Sequence, residues 1–402
     1  MVLLCSLGAG ALLSASAQVA RPVDRRLPSL SNTFPPSNVL VDGENVIAYD
    51  RSSRQIFQLA AQTEAMAAKP VFSLSARSTG NSGSEEGTSV WDLDARKDKA
   101  GNIIVSWRDE VGATRAGRTD SIQLLYLIPG GKVEHYVVKR FPEFRSFFDL
   151  RMFVADSKSI HFFYTYYSET HAGLAPDANS IEKLWMLHWR DRKVRFDNQL
   201  SEKGTYHATR FDASDAGNGR FDLAWIEQRI GSPLGAGKQL KIGHVTTDAD
   251  RPRLRESGSV AIDAWEANER TVFPLVTRSV GGELEALARI PQGRSGALLK
   301  KIDARGKVLG DIKVDGAEVT EFGYNPKTGL FRYVKGRLIL LKQPEVVEAE
   351  LHWTDFKGRG WTEKLEMPVD SILLKQFPGD CFYWLRVKET RFELHKKCRP
   401  GA

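Results

Sequence analysis

Acidic residues recur at a fixed distance before hydrophobic, strand-like segments of this sequence. Asp92 lies 15 residues before Trp107, and Asp149 lies 15 residues before Tyr164. Carboxylates that lie close together shift one another's pKa, and they can serve as acid and base or bind a polar ligand. With small shifts in spacing, six segments carry a polar residue at this place: Asp92, Asp149, His207, Asp263, Glu318 and Asp370.

Three arginines follow the polar residues in consecutive segments, namely Arg96, Arg151 and Arg210. Guanidinium groups bind carboxylate or sulfate groups in a planar, two-pronged geometry, so these arginines suit a ligand that carries such groups. They can equally form structural ion pairs with the acids. The acids themselves can accept backbone N–H groups and fix a turn, which would explain their recurrence without any ligand. The nine residues are therefore candidates for ligand binding, and no catalytic residue is assigned.

These positions belong to an internal repeat. Within each repeat unit, short β-rich runs are separated by turns rich in Gly, Asp and Asn. Four such runs in a unit of 50–60 residues are typical of a β-propeller blade. The sequence therefore predicts an all-β chain that forms a seven-bladed β-propeller of four-stranded antiparallel blades. The most regular runs start 51–61 residues apart, at Asn45, Asn102, Ser159, Arg220, Val272, Gly329 and Asp380.

The seventh unit ends early, because only four residues follow its second strand-like run, TRFELHKKC. A propeller whose last blade lacks its outer strand would leave a sheet edge open. We expect the segment 18–36, and within it residues 21–34, to supply this strand. A single propeller domain would then occupy residues 37–402.

Cys381 and Cys398 lie at the two ends of a predicted hairpin. If the chain turns at residues 389–390, opposed residues have numbers that sum to 779, so the two cysteines face each other. Opposed Cα atoms in a non-hydrogen-bonded pair are about 4.5 Å apart, which a disulfide can bridge. The pattern predicts a disulfide that stabilises the fold by roughly 3 kcal/mol. A pair of reactive thiols is the alternative, although no nearby histidine or Cys-x-x-Cys motif supports it.

The N-terminus resembles a secretory signal. Residues from Val2 to Ala17 are uncharged and mostly apolar or small, and they end in Ala-Ser-Ala before Gln18. We expect a signal peptide over residues 1–17, and Cys5 would be removed with it. The protein would then be secreted or periplasmic in a bacterium, where disulfides persist. We expect no transmembrane segment in the mature form, because no later apolar run is long enough.

Composition limits the class of partner. The 57 basic residues are interleaved with 50 acidic ones, and the net charge of +7 is not gathered into a basic run. We therefore expect no nucleic acid as partner, but a polysaccharide or other glycan, or an envelope protein, bound by a monomer. We expect no cofactor and no metal. The segment DASDAGNGRFDLAW resembles a calcium loop, but Ala216 offers no side-chain oxygen where a ligand is needed, which favours an ordinary turn.

Three segments read as surface loops. The stretch from about Ser78 to Ser89 is rich in Gly, Ser and Thr, and we expect it to connect the first two blades. The inserts 168–180 and 230–237 fall between the second and third strands of their units. They would project from one end of the propeller.

Two segments carry a resemblance to a known group of proteins. GNIIVSWRDE and FDLAWIEQR are each followed by a turn and a strand, QLLYL or QLKIG. In this the chain resembles the bacterial secreted, sialidase-like (BNR-type) propellers, at the level of fold and over most of residues 37–398. Sialidases typically have six blades, Asp-box turns, an arginine triad and a Tyr/Glu pair. No Asp box is present here, so only the fold is implied by the resemblance.

These observations favour a secreted or periplasmic propeller that binds a polar ligand, a glycan or a protein, at one face without catalysis. A glycan-active hydrolase or lyase of sialidase-like type, which would use the carboxylates and arginines named above, is the alternative. A redox function of Cys381 and Cys398 is a third hypothesis.

Overall fold

The computed structural model describes the greater part of the chain from residue 38 onwards. The described residues are 38–42, 45–50, 54–62, 65–74, 88–111, 119–141, 147–170, 180–201, 206–229, 237–248, 251–262, 272–292, 296–314, 319–339, 346–368, 372–373, 380–388 and 391–401. Within these ranges the chain forms strands and turns and contains no helix, so no described helix could cross a membrane.

The strands follow one another in seven antiparallel blades. Blades 1 to 3 contain β1 (Asn38–Leu40), β2 (Asn45–Asp50), β3 (Gln55–Gln62), β4 (Ala65–Ser73), β5 (Thr88–Lys97), β6 (Ile103–Val111), β7 (Thr119–Ile128), β8 (Lys132–Arg140), β9 (Phe147–Asp156), β10 (Ser159–Thr170), β11 (Ser180–Arg190) and β12 (Lys193–Gln199). Blades 4 to 7 contain β13 (Tyr206–Gly217), β14 (Arg220–Arg229), β15 (Lys238–Asp248), β16 (Arg251–Ile262), β17 (Phe273–Arg278), β18 (Leu284–Gln292), β19 (Gly296–Asp303), β20 (Val308–Val314), β21 (Val319–Asn325), β22 (Leu330–Ile339), β23 (Val346–Thr354), β24 (Gly360–Pro368), β25 (Ile372–Leu373), β26 (Cys381–Lys388) and β27 (Arg391–Cys398).

Strand order within each blade follows chain order, as expected for a propeller. Each of blades 2 to 6 is a separate sheet of four consecutive strands, such as β5-β6-β7-β8. The prediction of an all-β chain with seven repeated antiparallel units is therefore confirmed. The inserts also lie where they were expected, because residues 171–179 and 230–237 connect the second and third strands of blades 3 and 4.

One unit was aligned wrongly from the sequence. The run that begins at Val272 corresponds to β17, the first strand of blade 5, and the second strand is β18, which begins at Leu284. Both runs are short and apolar, so hydrophobicity alone cannot tell which position a strand takes within its blade. The spacing of the true second strands is accordingly less regular around this blade.

Hydrophobic clusters lie between blades rather than within them. The described residues form seven buried clusters, and each is shared by two neighbouring blades. Tyr164 of blade 3, for example, packs with Leu124 of blade 2. One cluster joins the first blade to the last, through Phe57 and Tyr383. Packing therefore runs through all seven blades and returns to the first.

The two ends of the blades differ in their connections. Short turns join first to second strands and third to fourth strands, and because strand direction alternates, both sets lie at the same end. We call this end, which includes residues 98–102, 157–158, 191–192, 279–283, 304–307, 326–329 and 355–359, the turn end. The longer connections between second and third strands lie at the opposite end.

The last blade contains three described strands, and its hairpin has the predicted register. Cys381 lies opposite Cys398, Leu385 opposite Leu394, and the disulfide joins cysteines whose Cα atoms are 3.9 Å apart. Beyond β27, the described strands continue with β4 of blade 1, paired through Met66 and Phe392. The residues expected to supply an outer strand, 21–34, lie outside the described residues.

Removing the disulfide tests how much the last blade depends on it. The double substitution Cys381→Ser, Cys398→Ser should lower the free energy of unfolding by about 3 kcal/mol, because the bridge closes a loop between residues 17 apart. Urea unfolding of both proteins without reductant measures the difference. Equal midpoints with equal slopes would show that the bridge contributes nothing to stability.

Candidate functional site

A β-bulge recurs in the first strand of four blades. In each case two residues of the first strand lie opposite one residue of the second. Residues 92 and 93 oppose Trp107, and residues 149 and 150 oppose Tyr164. The same irregularity places residues 209 and 210 opposite Ile226, and residues 321 and 322 opposite Tyr333. A bulge bends the strand and redirects its side chains, and bulges are common next to functional sites.

The bulge explains why aspartate recurs at 92 and 149. Their φ angles are 50° and 54°, in the left-handed region that most side chains avoid and that aspartate tolerates. The 15-residue spacing therefore identified the bulge position in blades 2 and 3. In blades 4 and 6 the bulge begins at Thr209 and Glu321, so the count, which gave His207 and Glu318, missed it there.

Six of the nine predicted site residues are described, and five of them come together. Asp263, Glu318 and Asp370 lie outside the described residues, each in the connection that leads to a first strand. His207 is half-buried, and its Nδ1 accepts a hydrogen bond from the Glu182 backbone N–H at 3.2 Å. The remaining five lie on the first strands of blades 2 to 4, where Asp94 and Asp212 join them. We call this set the inner-strand cluster: Asp92, Asp94, Arg96, Asp149, Arg151, Arg210 and Asp212.

Arg210 and Asp149 form an ion pair between blades 4 and 3. Both side chains are largely buried, with 16% and 13% of their surfaces exposed. The Arg210 guanidinium also lies 5.1 Å from the centre of the Phe273 ring in blade 5. Arg210 therefore connects three blades, and its first role is structural.

Arg151 is held more loosely. Its Nε lies 3.9 Å from Oδ1 of Asp212, and no described hydrogen bond engages its guanidinium. Burial lowers the pKa of Arg151, but the attraction of Asp212, Asp149, Asp94 and Asp92 outweighs this and raises it. The side chain is nonetheless 41% exposed. Arg151 lies on β9, which contacts the first strands of both neighbouring blades, β5 and β13.

Asp212 and Asp94 bond to the backbone of the next blade. Oδ2 of Asp212 accepts the Val276 N–H at 3.0 Å, and Oδ2 of Asp94 accepts the Met152 N–H at 3.4 Å. Burial raises the pKa of Asp212, and Arg151 opposes that shift. The sequence suggested that recurring acids accept backbone N–H groups. Two acids that the sequence analysis did not select, Asp94 and Asp212, do so. The signal for them was present, since both lie two residues after a bulge residue, in DLD and RFD.

Blade 2 adds a second loosely held arginine. Arg96 lies 3.4 Å from the carboxylate of Asp94 and is 40% exposed, whereas Asp94 is almost fully buried. Behind them, the buried Arg108 lies 3.7 Å from Asp92 and 3.9 Å from Asp120. The cluster contains four aspartates and three arginines, so its net charge is close to zero. Two of its three arginines, Arg96 and Arg151, are partly exposed, whereas Arg210 is largely buried.

Two other features of the sequence are used structurally. Asp222, which belongs to the calcium-like segment, accepts two hydrogen bonds from Arg278 of the next blade, at 2.6 and 2.8 Å. His161 and His188 stack at 4.2 Å, and burial lowers the pKa of His161 to about 3, so this ring is neutral. Among the described residues, no three His, Cys, Asp or Glu side chains are grouped so as to hold a metal ion.

Comparison with known proteins adds little beyond the fold. No family model matches the sequence, and curated protein sequences give no match. Among solved structures, a protein of unknown function from Dyadobacter fermentans has 11% identity and a TM-score of 0.49, over 78% of this chain and 95% of that one. The WD40 domain of SCAP from fission yeast has 10% identity and a TM-score of 0.49, over 93% and 82%.

A sialidase of Trypanosoma rangeli in complex with sialic acid has 12% identity and a TM-score of 0.42, over 77% of this chain and 54% of that one. This likeness, like the resemblance to sialidase-like propellers noted from the sequence, concerns the fold alone. The assignment of blades here rests on strand order and register, and none of these likenesses carries a function to this chain.

Two substitutions of Asp149 distinguish the contribution of its charge to stability from that of its backbone conformation. Asp149→Asn should lower stability by about 3 kcal/mol, because it removes the negative charge that faces the largely buried Arg210 guanidinium. Asp149→Ala should cost about 1 kcal/mol more, since alanine tolerates the left-handed conformation less well. Thermal unfolding of both variants measures these effects.

Asp191 provides a matched control. It also has a positive φ, 51°, and it also pairs with arginine, but its side chain is 51% exposed. Asp191→Asn should change stability by less than about 1 kcal/mol. If Asp149→Asn is as mild as this control, the ion pair between blades 3 and 4 does not support the fold.

Proposed function

We propose that this protein binds a glycan at the inner-strand cluster and does not transform it. The observation that carries the proposal is the state of Arg151. Its side chain, on the first strand of blade 3, is 41% exposed, and no described hydrogen bond uses its N–H groups. Arg96, which is 40% exposed, lies on the neighbouring blade. Two guanidinium groups can therefore donate to one ligand.

The charge balance favours a hydroxyl-rich ligand over a strongly anionic one. Four aspartates surround the arginines and cancel most of their positive potential. Sugar hydroxyl groups both donate and accept hydrogen bonds, so they match a surface of exposed guanidinium groups with carboxylates beside them. A sugar with one carboxylate per residue would also fit, because arginine binds a carboxylate in a bidentate manner.

An oligosaccharide array tests the proposal. The wild-type protein should bind at least one neutral or uronic-acid-containing oligosaccharide. Arg151→Met should weaken that binding about tenfold or more, because hydrogen bonds from a charged group are lost. Arg151→Lys should have an intermediate effect, since it keeps the charge and loses the planar fork.

The control is Arg195→Met, which removes an exposed arginine of β12 whose partner is Asp191. It should bind like the wild type. An array without any bound member, or equal binding by the Arg151 variants, would contradict the proposal. If the wild-type protein releases new reducing ends from an oligosaccharide and Asp212→Asn does not, the function is hydrolysis and not binding alone. The raised pKa of Asp212 supports this alternative.

We further propose that residues 21–34 complete the last blade as its outer strand. Two observations support this: the last blade has three described strands, and β27 meets β4 through a single residue pair. Hydrogen exchange tests it. Deleting residues 21–34 should speed hydrogen exchange in β27. Exchange in β8, the outer strand of a complete four-stranded blade, should not change. Equal protection of β27 with and without the segment would exclude this closure.

We also propose that the protein is exported, with residues 1–17 as its signal and the propeller domain following residue 36. The disulfide between Cys381 and Cys398 supports this, because such bridges persist in oxidising compartments.

A further inference from the structure

A cation recurs at one position in the turns of the turn end. In four turns an Asp or Asn side chain accepts the backbone N–H of the residue two positions later, at 2.7 to 3.1 Å, and that residue is a lysine or arginine. The carboxylate or amide thereby points back into its turn, and the cation points outward. The four cations are Lys158, Arg305, Lys327 and Lys357, and all are exposed.

Further exposed cations lie on the same end. Lys307 and Arg359 follow two of these turns, and Arg251 begins β16 at the same end. Lys158, Arg251, Arg305, Lys307, Lys327 and Lys357 form no ion pair within the described residues. This contrasts with the inner-strand cluster, where arginines and aspartates balance. The turn end therefore presents exposed cations that no described carboxylate pairs with, and such cations attract anionic partners.

The exposed large apolar side chains lie on the same end. The described residues include six of them, and every one lies within a turn of the turn end or within two residues of it. Val280 is the most exposed, at 82%, and it lies at the tip of the turn between β17 and β18. The others are Val133, Val194, Val308, Leu309 and Trp361.

Trp361 lies beside an arginine on this surface. Its ring is 43% exposed and lies 4.8 Å from the Arg399 guanidinium. Both residues line a cavity of about 480 Å³ at the turn end of blades 6 and 7, together with Arg359. Tryptophan and arginine side by side are typical of surfaces that meet the lipid headgroup region.

We propose that the turn end docks on the surface of an anionic lipid bilayer. Cations attract the anionic headgroups, and apolar tips such as Val280 enter the boundary between headgroups and acyl chains. A soluble acidic polymer would account for the cations but not for the apolar side chains among them. Glu283, in the same turn as Val280, is exposed and opposes the attraction locally. Docking would leave the opposite end, with the long connections, facing away from the membrane.

Vesicle sedimentation with the full chain tests the proposal. The protein should bind vesicles that contain phosphatidylglycerol and should not bind vesicles of phosphatidylcholine alone. The triple variant Lys158→Gln, Lys327→Gln, Lys357→Gln should bind about 100-fold more weakly, because each cation near the surface adds to the attraction. Val280→Ser should also weaken binding, by roughly threefold to tenfold, because its apolar contact is lost.

A matched triple variant controls for net charge. Lys69→Gln, Arg140→Gln, Arg229→Gln removes three exposed cations that lie away from the turn end, and it should bind vesicles like the wild type. Equal loss in both triple variants would overturn the proposal, as would absence of binding. Binding that Val280→Ser leaves unchanged and that dextran sulfate abolishes would identify a soluble polyanion as the partner instead. Thermal unfolding confirms that each variant is folded.

Discussion

Each blade of this protein has two apolar faces, and it can bury them only against the blades on either side. The seven clusters show this dependence directly, since each draws its side chains from two blades. Trp107 of blade 2 packs toward blade 1, whereas Ile104 of the same strand packs toward blade 3. An isolated blade would expose both faces to water, so the stability of each blade depends on the two blades that pack against it. The cluster that joins Phe57 to Tyr383 is therefore as necessary as any other.

The same architecture creates the inner-strand cluster. A first strand is the edge of its sheet, and its backbone and polar side chains face the corresponding strands of neighbouring blades rather than another strand of its own sheet. Asp94 and Asp212 use their carboxylates to bond the backbone of the next blade. Arg210 and Asp149 pair across blades for the same reason. The guanidinium groups of Arg96 and Arg151 are more exposed than that of Arg210 and make weaker contacts, and it is to them that we propose a ligand binds.

The two ends of the propeller differ in chemistry because they differ in construction. In four turns of the turn end an Asp or Asn accepts a backbone N–H of its own turn, and the cation two positions later is exposed. At the opposite end the second strands end and the third strands begin. The glycan proposal and the bilayer proposal rest on different residues, although Arg96 lies only two residues before the turn at residues 98–102.

Local patterns in the sequence determined the strands, the repeat and the disulfide. Alternating apolar residues and turn residues act over a few positions, and cross-strand register in a hairpin follows from its turn, which is why Cys381 and Cys398 could be paired by counting. Counting failed where blades differ in hairpin length or in the length of their connections, as at Val272 and at Glu318. Only the tertiary structure decided that Arg210 meets Asp149 and that Asp94 and Asp212 join the cluster, because residues some 60 positions apart meet only when neighbouring blades pack.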